Sequence, residues 1–273
     1  MKLAFSTLGC PQWELDRIAH AACEFGYDAI ELRAVGGELD LLSRPEFQPS
    51  AVEATRRRLS DQNIAVCCVD TSCTFDSVDA AERNAQVEVA IKHCELAAAL
   101  GAPLIRVFPD KIPAGASREG TRDRIAACLN EVARRAPDGV RVGLETHGDF
   151  ARGREAALVA RLAGRPNVAL IWDVANALNS GDTIEESAQA VAPYLAHVHL
   201  RDARPAEGRE HWLPVLAGRG RVSFAKAIDE LQRLGYDHYI CFEWEKYWQP
   251  EIEEPEVALP DFAAAVREIL VAS

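Results

Sequence analysis

Short apolar runs alternate along the chain with longer segments of helical periodicity. The runs lie at residues 2–7, 28–33, 64–70, 104–108, 141–147, 168–174, 195–201 and 239–244. The helical segments lie at residues 13–25, 50–61, 80–100, 121–135, 154–162, 183–191, 223–234 and 257–270. Runs of β-branched and apolar residues predict buried strands, whereas apolar positions spaced three or four apart predict amphipathic helices. The pattern therefore predicts eight β–α units with no linker between them.

The order of these elements indicates the fold class. Strict alternation of strand and helix predicts parallel strands, because parallel neighbours need crossover connections. Eight units in a chain of 273 residues favour a closed (β/α)8 TIM barrel, with residues 1–273 as a single domain. The first strand is followed by STLGCPQW, which lacks the GxGxxG fingerprint of an open dinucleotide-binding sheet. We therefore predict the closed barrel.

Composition and charge limit the kinds of partner and the cellular location that we expect for the protein. A net charge of −12 disfavours nucleic-acid binding, which requires a basic face. The amino terminus MKLAFSTLGCPQW has no secretory signal pattern, and charges interrupt every apolar run below membrane-spanning length. Six of the eight cysteines lie in helix-like patterns (Cys23, Cys94, Cys128) or strand-like patterns (Cys67, Cys68, Cys241), so we expect reduced, buried thiols and a cytoplasmic location.

Ionisable side chains recur at the ends of the last four predicted strands. These strands read RVGLETH, VALIWDV, LAHVHLRD and YICFEWEK, and they lead to Glu145, Asp173, His199 and Glu243. An acidic residue at one strand end is more often a helix cap or a solvated loop residue. Four at equivalent heights, where barrel strands converge, predict a shared cation, because gathered carboxylates repel one another. Three carboxylates and one imidazole suit Mn²⁺, Mg²⁺ or Co²⁺ better than a structural zinc site.

The segments GLETHGD, IWDVANAL, HVHLRD and CFEWEK resemble the xylose isomerase-like TIM barrels, which are grouped as sugar phosphate isomerases/epimerases. The resemblance implies that the four residues bind one divalent metal ion. It also implies an isomerase or epimerase that acts on a sugar or keto-polyol through a metal-stabilised cis-enediolate, with Glu145 and Glu243 as the acid/base pair. One departure is Asn176, which stands where many members have a histidine three residues after the aspartate.

Further residues are candidates for substrate binding: His147, Asn176, Arg201 and Lys246. His147 shares a strand face with Glu145, and Asn176 can hydrogen-bond a hydroxyl group. Arg201 and Lys246 either bind an anionic substrate group or form salt bridges beside the acidic residues. The loop LAGRGRVSF is a weak signal for phosphate binding, because glycines also serve ordinary tight turns.

Other functions remain open at this point. The same enediolate could expel a β-hydroxyl group, which would make the protein a dehydratase or lyase of an inosose-like or keto-sugar substrate. A non-catalytic binding subunit and a relative of the apurinic endonucleases are further alternatives, although the acidic balance and only seven histidines disfavour the latter. We expect a small-molecule substrate, with no nucleic-acid or membrane partner, and a homo-oligomer is compatible with the sequence.

Overall fold

The structure is a computed structural model that describes residues 1–272. Its strands are β1 (Lys2–Ser6), β2 (Ala29–Leu32), β3 (Ala65–Asp70), β4 (Leu104–Val107), β5 (Arg141–Glu145), β6 (Val168–Asp173), β7 (Leu195–Leu200), β8 (Asp202–Arg204), β9 (Leu213–Val215) and β10 (Tyr239–Phe242). Its α-helices are α1 (Leu15–Phe25), α2 (Val52–Ser60), α3 (Ala80–Leu100), α4 (Arg118–Arg135), α5 (Gly153–Ala163), α6 (Val174–Asn179), α7 (Ile184–Val191), α8 (Phe224–Arg233) and α9 (Pro255–Ala272). Every predicted strand and helix overlaps an observed one.

Eight strands form the barrel that the sequence predicts. Strands β1 to β7 and β10 close into one sheet in the order β1-β10-β7-β6-β5-β4-β3-β2. Neighbouring strands pair in parallel, as in the register of Lys2 with Tyr239 and of Val142 with Val168. All residues of β6 are buried, as expected for a strand covered on both faces. The (β/α)8 prediction is confirmed.

The described chain divides into two compact units, residues 1–67 with the segment from 198 onward, and residues 68–197. In the first unit the ring of Phe242, on β10, stacks on Phe262, on α9, with centroids 4.3 Å apart. The Tyr27 hydroxyl donates to the Leu259 carbonyl at 2.7 Å and ties the end of α1 to α9. The expectation of a single domain over residues 1–273 stays a prediction.

In the second unit, helices α4, α5 and α7 pack against strands β5 and β6, and α3 packs against β4. Trp172 is fully buried, and its Nε1 donates to Ser187 Oγ on α7 at 3.2 Å. The Asn130 side chain of α4 donates to the Ala163 carbonyl at the end of α5 at 2.7 Å. Apolar packing and a few directed bonds thus fix the helices behind the strands whose ends carry Glu145 and Asp173.

Three short elements were not predicted. Helix α6 follows β6 directly, and β8 pairs with β9 in an antiparallel hairpin. Helix α6 has six residues and each hairpin strand has three, so none is long enough to display a hydrophobic period. Within residues 1–272, no helix is both long and apolar enough to cross a bilayer.

The cysteines are free thiols, as predicted. Seven of the eight are buried, and burial raises the pKa of the Cys94 thiol to about 12. Cys23 is exposed on α1, so the prediction of a buried thiol is wrong at this position. It directly follows Ala22, the last buried residue of that helix. The pattern of apolar and polar positions does not distinguish a buried from an exposed cysteine at such a boundary.

Candidate metal centre

Two predicted ligands end adjacent strands of the second unit. Glu145 is the last residue of β5 and Asp173 the last of β6, and both side chains are buried. The Asp173 amide donates to Thr146 Oγ1 at 2.8 Å, and that hydroxyl donates to the Asp173 carbonyl at 3.2 Å. This reciprocal pair of hydrogen bonds holds the ends of β5 and β6 together and thereby fixes the backbone positions from which the two carboxylates extend.

Asp173 also begins the short helix α6. Its Oδ1 accepts from the backbone N–H of Asn176 at 2.8 Å, which is the usual contact of a helix N-cap. The cap turns the Asn176 side chain back toward β5, where its Nδ2 donates to Glu145 Oε1 at 3.4 Å. The spacing DVAN therefore brings Glu145, Asp173 and Asn176 into one hydrogen-bonded group.

A buried arginine contacts Glu145 on its other oxygen. Arg106 Nη1, on β4, donates to Glu145 Oε2 at 2.9 Å, and its Nη2 lies 3.2 Å from Asp70 Oδ2 at the end of β3. The guanidinium carbon lies 4.2 Å from the centroid of the Phe108 ring. Asp70 and Arg106 were not among the predicted site residues, although a charged residue within each of the apolar runs CCVD and LIRVF is a visible signal.

His147 lies just beyond β5 and is partly exposed. Its Nδ1 is 3.3 Å from Asp110 Oδ1, and its ring contacts Phe108 with centroids 4.8 Å apart. Burial lowers the pKa of His147, but the hydrogen bond to Asp110 and the charge of Glu145 raise it by more, so that its pKa lies above the ordinary value. A second positive charge next to Glu145 is thus favoured.

The turn that carries His147 is fixed by the loop after β4. Gly148 has a φ of 55°, and a Cβ there would lie 2.0 Å from the Asp110 carbonyl oxygen. The Asp149 amide donates to that same oxygen at 2.8 Å. Only glycine allows this approach, which sets His147 and Asp110 opposite each other.

The other two predicted ligands belong to the first unit. His199 lies in β7 and Glu243 directly follows β10, and both are buried. His199 Nδ1 is 3.4 Å from Glu243 Oε2, while its Nε2 is 3.0 Å from Glu31 Oε2 at the end of β2. Two carboxylates on opposite sides fix the plane of the imidazole ring.

Arg201 is a buried arginine of the first unit that contacts a predicted ligand, as Arg106 does in the second unit. It directly follows β7, and its Nη1 donates to Glu243 Oε2 at 3.0 Å. Its Nη2 lies 2.8 Å from Glu245 Oε1, whose side chain is 22% exposed. Arg201 therefore neutralises two carboxylates, which was one of the two roles expected for it.

Lys246 has a different environment from the one expected of a substrate-binding residue. Its Nζ donates to the carbonyl oxygens of Pro250 at 2.8 Å and Ile252 at 2.6 Å, and to Glu254 Oε1 at 2.8 Å. An ammonium group has three hydrogens, and these three contacts use them all. Lys246 therefore stabilises the loop after β10, and no role in substrate binding is proposed for it.

The loop around Gly220 does not present its N–H groups to a ligand. Asp202 is buried, and its carboxylate accepts from the amides of Gly220 at 2.7 Å and Val222 at 3.0 Å. The amides of Arg219 and Arg221 donate to the carbonyls of Leu216 and Ala203. The weak phosphate signal in GRGR is thereby explained by bonds within the protein.

The predicted ligands fit a metal ion by their chemistry. Glu145, Asp173, His199 and Glu243 can each offer one ligand atom, and all four side chains are buried. The group contains three carboxylate oxygens and one ring nitrogen, a donor set typical of hard or borderline divalent ions. Cys68 and Asp70, both on β3, offer further ligand atoms, and the Cys68 Sγ lies 3.5 Å from Asp70 Oδ1.

The sequence matches the family described as xylose isomerase-like TIM barrel over residues 19–267. Similar solved structures include an L-ribulose 3-epimerase (17% identity, TM-score 0.80), covering 99% of this chain and 95% of that one. An IolI protein with a bound zinc atom has 18% identity and a TM-score of 0.79, over 100% and 97% of the two chains.

A probable 3-DHS dehydratase, AsbF from Bacillus anthracis, has 20% identity and a TM-score of 0.75, over 99% of each chain. The sequence matches none of the curated proteins with which it was compared. At these identities the similar structures establish the fold alone.

Proposed function

We propose, because the chain belongs to the xylose isomerase-like TIM barrel family, that it is a divalent-metal-dependent isomerase or epimerase of a sugar or keto-polyol. The observation that carries the proposal is the burial of three carboxylates and one imidazole at or next to the ends of strands that a closed parallel barrel directs to one face. Such a group is costly without a cation, because buried like charges repel and burial disfavours each charge. The proposed ligands are Glu145, Asp173, His199 and Glu243.

The proposed ion is Mn²⁺, with Mg²⁺ or Co²⁺ as alternatives. Oxygen-rich ligation favours these ions, and the zinc atom of the similar IolI structure supports a divalent ion on this fold. When bound, the ion would act as a Lewis acid on the oxygens of a hydroxy-ketone. The carboxylates must be ionised to bind it, which makes affinity fall at low pH.

The reaction itself is assigned to Glu145 and Glu243. One carboxylate removes a proton from the carbon next to the carbonyl group. In an isomerisation the carboxylic acid so formed gives this proton to the adjacent carbon; in an epimerisation the other carboxyl group, after taking up a proton from water, delivers it to the opposite face of the same carbon, and the first releases its proton to water. Each accepts a hydrogen bond from a buried arginine through Oε2, Glu145 from Arg106 and Glu243 from Arg201. These hydrogen bonds restrain the positions of the two carboxylates.

Two neighbouring side chains are proposed to bind the substrate. The Asn176 amide and the partly exposed His147 ring both lie on the Glu145 side. Each can donate a hydrogen bond to a hydroxyl oxygen, and such contacts restrict the substrate to one orientation relative to the base. Arg201, with both ends engaged by carboxylates, is assigned to restraining Glu243.

A second candidate function is a dehydratase of a β-hydroxy ketone. The similarity to the probable 3-DHS dehydratase over nearly the whole chain favours it as the runner-up. Elimination begins with the same proton removal, after which the β-hydroxyl group leaves as water. The two functions therefore share Glu145 and Glu243 and differ in the product.

The deciding experiment is a deuterium wash-in assay. Protein loaded with Mn²⁺ is incubated in D₂O with keto-sugars, hydroxypyruvate and inososes, and deuterium at the α-carbon is measured by mass spectrometry. We expect wash-in by the wild type and a loss of about 10²- to 10⁴-fold in Glu145→Gln and Glu243→Gln. Glu254→Gln, which removes an exposed carboxylate that pairs with Lys246, is the control.

Each outcome of this assay has a distinct meaning. Exchange at the wild-type rate in Glu145→Gln or Glu243→Gln would show that the substituted residue is not an acid or base. Products lighter by one water would assign the dehydratase function. No exchange by the wild type, and no metal retained after loading, would contradict the proposal and favour a non-catalytic binding subunit.

A further inference from the structure

Three buried charged side chains from consecutive strands form a chain of ion pairs in the second unit. Arg106 lies between Asp70 and Glu145, with Nη2 3.2 Å from Asp70 Oδ2 and Nη1 2.9 Å from Glu145 Oε2. All three side chains are at most 2% exposed. Water therefore contributes little to stabilising these charges, and the pairing within the protein matters correspondingly more.

The guanidinium is held from several directions. Asp70 and Arg106 are direct partners in the register of β3 and β4. The Arg106 carbonyl accepts from both the amide and the hydroxyl of Thr71, at 3.1 and 2.8 Å. The Phe108 ring lies under the guanidinium. These contacts make the position of the charge a fixed feature of the two strands.

The carboxylates of this cluster raise the question of how many metal ions the centre binds. Asp70 lies beside another potential ligand, the Cys68 Sγ at 3.5 Å from its Oδ1, and neither residue belongs to the group proposed to hold the metal. Adjacent carboxylate groups of this kind can hold two divalent ions. The guanidinium next to Asp70 and Glu145 disfavours a second ion, because it cannot lose its proton in a protein and its positive charge repels a nearby cation.

We propose that the guanidinium of Arg106 takes the place of a second cation, so that the centre binds one divalent ion. It acts as a positioning residue by restraining Glu145 through Oε2 while neutralising part of the charge of Asp70 and Glu145. The proposal rests on the proposed function, since it concerns the same metal centre. Arginine suits this role because its planar fork donates to two carboxylates at once.

The test is the stoichiometry of Mn²⁺ binding, measured by isothermal titration calorimetry and by metal analysis after desalting. The wild type is expected to bind one ion per chain. Arg106→Met and Arg106→Gln are expected to bind two, with the spin coupling of paired Mn²⁺ ions in the EPR spectrum. Arg106→Lys keeps the positive charge and is expected to bind one.

Arg201→Met is the matched control. Arg201 is also a buried arginine paired with a proposed ligand, Glu243, but its other partner, Glu245, is partly exposed. Solvent can stabilise Glu245 when the arginine is removed, so no second ion is expected. Two ions in Arg201→Met would show that loss of any buried arginine has this effect, and would overturn the specific role of Arg106.

The outcomes separate this inference from the proposed function. If the wild type binds no ion, the metal-dependent function fails. If the wild type binds one ion and Arg106→Met and Arg106→Gln also bind one, only the role of Arg106 fails. Variants that fold only with Mn²⁺ and retain two ions support the inference. Failure of both to fold at any Mn²⁺ concentration contradicts it, because the proposal requires that a divalent ion can replace the guanidinium.

Discussion

The carboxylate of Asp202 offers a direct test of how much one buried side chain contributes to the stability of the first unit. Asp202 is 1% exposed and accepts three backbone hydrogen bonds, from Ala203 at 2.9 Å, Gly220 at 2.7 Å and Val222 at 3.0 Å. These bonds connect strand β8 to the loop that leads into α8. Asp202→Asn keeps the size of the side chain but changes its hydrogen-bonding groups.

The magnitude follows from the donors that would lose their acceptor. Hydrogen bonds to a charged group contribute about 1.5–3 kcal/mol each, and a buried donor left without an acceptor costs about 1–3 kcal/mol. Asparagine has one carbonyl oxygen, and its NH₂ group would face an N–H donor. We therefore expect Asp202→Asn to lower the free energy of unfolding by about 3 kcal/mol, which corresponds to a fall in Tm of about 6–12 °C.

Urea unfolding at neutral pH, followed by circular dichroism, measures this change. Asp237→Asn is the matched control, since its side chain is 82% exposed and contacts only the adjacent His238 in an ion pair. Its effect should stay within about 0.5 kcal/mol. If Asp202→Asn is equally mild, the three hydrogen bonds do not stabilise the unit and the reasoning about the loop is refuted.

Three further predictions follow from other contacts. Lys246→Met removes all three hydrogen bonds of Nζ, so we expect faster proteolysis within residues 246–254, and unchanged proteolysis would contradict it. Gly148→Ala forces a Cβ against the Asp110 carbonyl at a positive φ, and should lower the free energy of unfolding by more than about 1 kcal/mol in urea. Pairing with Arg56 and then Arg57 lowers the pKa of Glu53 to about 2, so its stabilising effect should be present above the ordinary carboxyl pKa and lost as pH falls toward 2. An NMR titration midpoint near the ordinary carboxyl value would contradict this assignment.

The barrel could be predicted because the same pattern of strand and helix recurs eight times along the sequence. Each strand is buried on both faces, so apolar runs and helical periods alternate eight times, and errors at one boundary leave the others intact. The ligands are proposed from the sequence on a similar ground. Parallel barrel strands place their carboxyl ends on one face, and the change from apolar to ionisable residues marks the end of β5, β6 and β10.

The pairing of the charges could not be predicted in the same way. Arg106 contacts Asp70 and Glu145, which are 36 and 39 positions away, and nothing in the hydrophobic pattern encodes which carboxylates a long side chain will reach. Lys246 shows the opposite case, since its partners are within eight residues. A nearby acidic strand end suggested a functional role for it, whereas the local loop used every hydrogen of its ammonium group.

The glycine-containing loop shows how a structural cause can replace a functional one. GRGR before a helix is compatible with an anion cradle, because exposed N–H groups at such a turn attract phosphate. A Cβ at Gly220 would lie 2.2 Å from Asp202 Oδ1 and 2.5 Å from the Ala203 carbonyl, so glycine is required by the approach of β8 alone. The Asp202 carboxylate, a negative group from the protein itself, already accepts the N–H groups that a phosphate would need. A buried aspartate directly after a barrel strand is therefore a reason to expect that the next glycine turn binds this carboxylate and not a ligand.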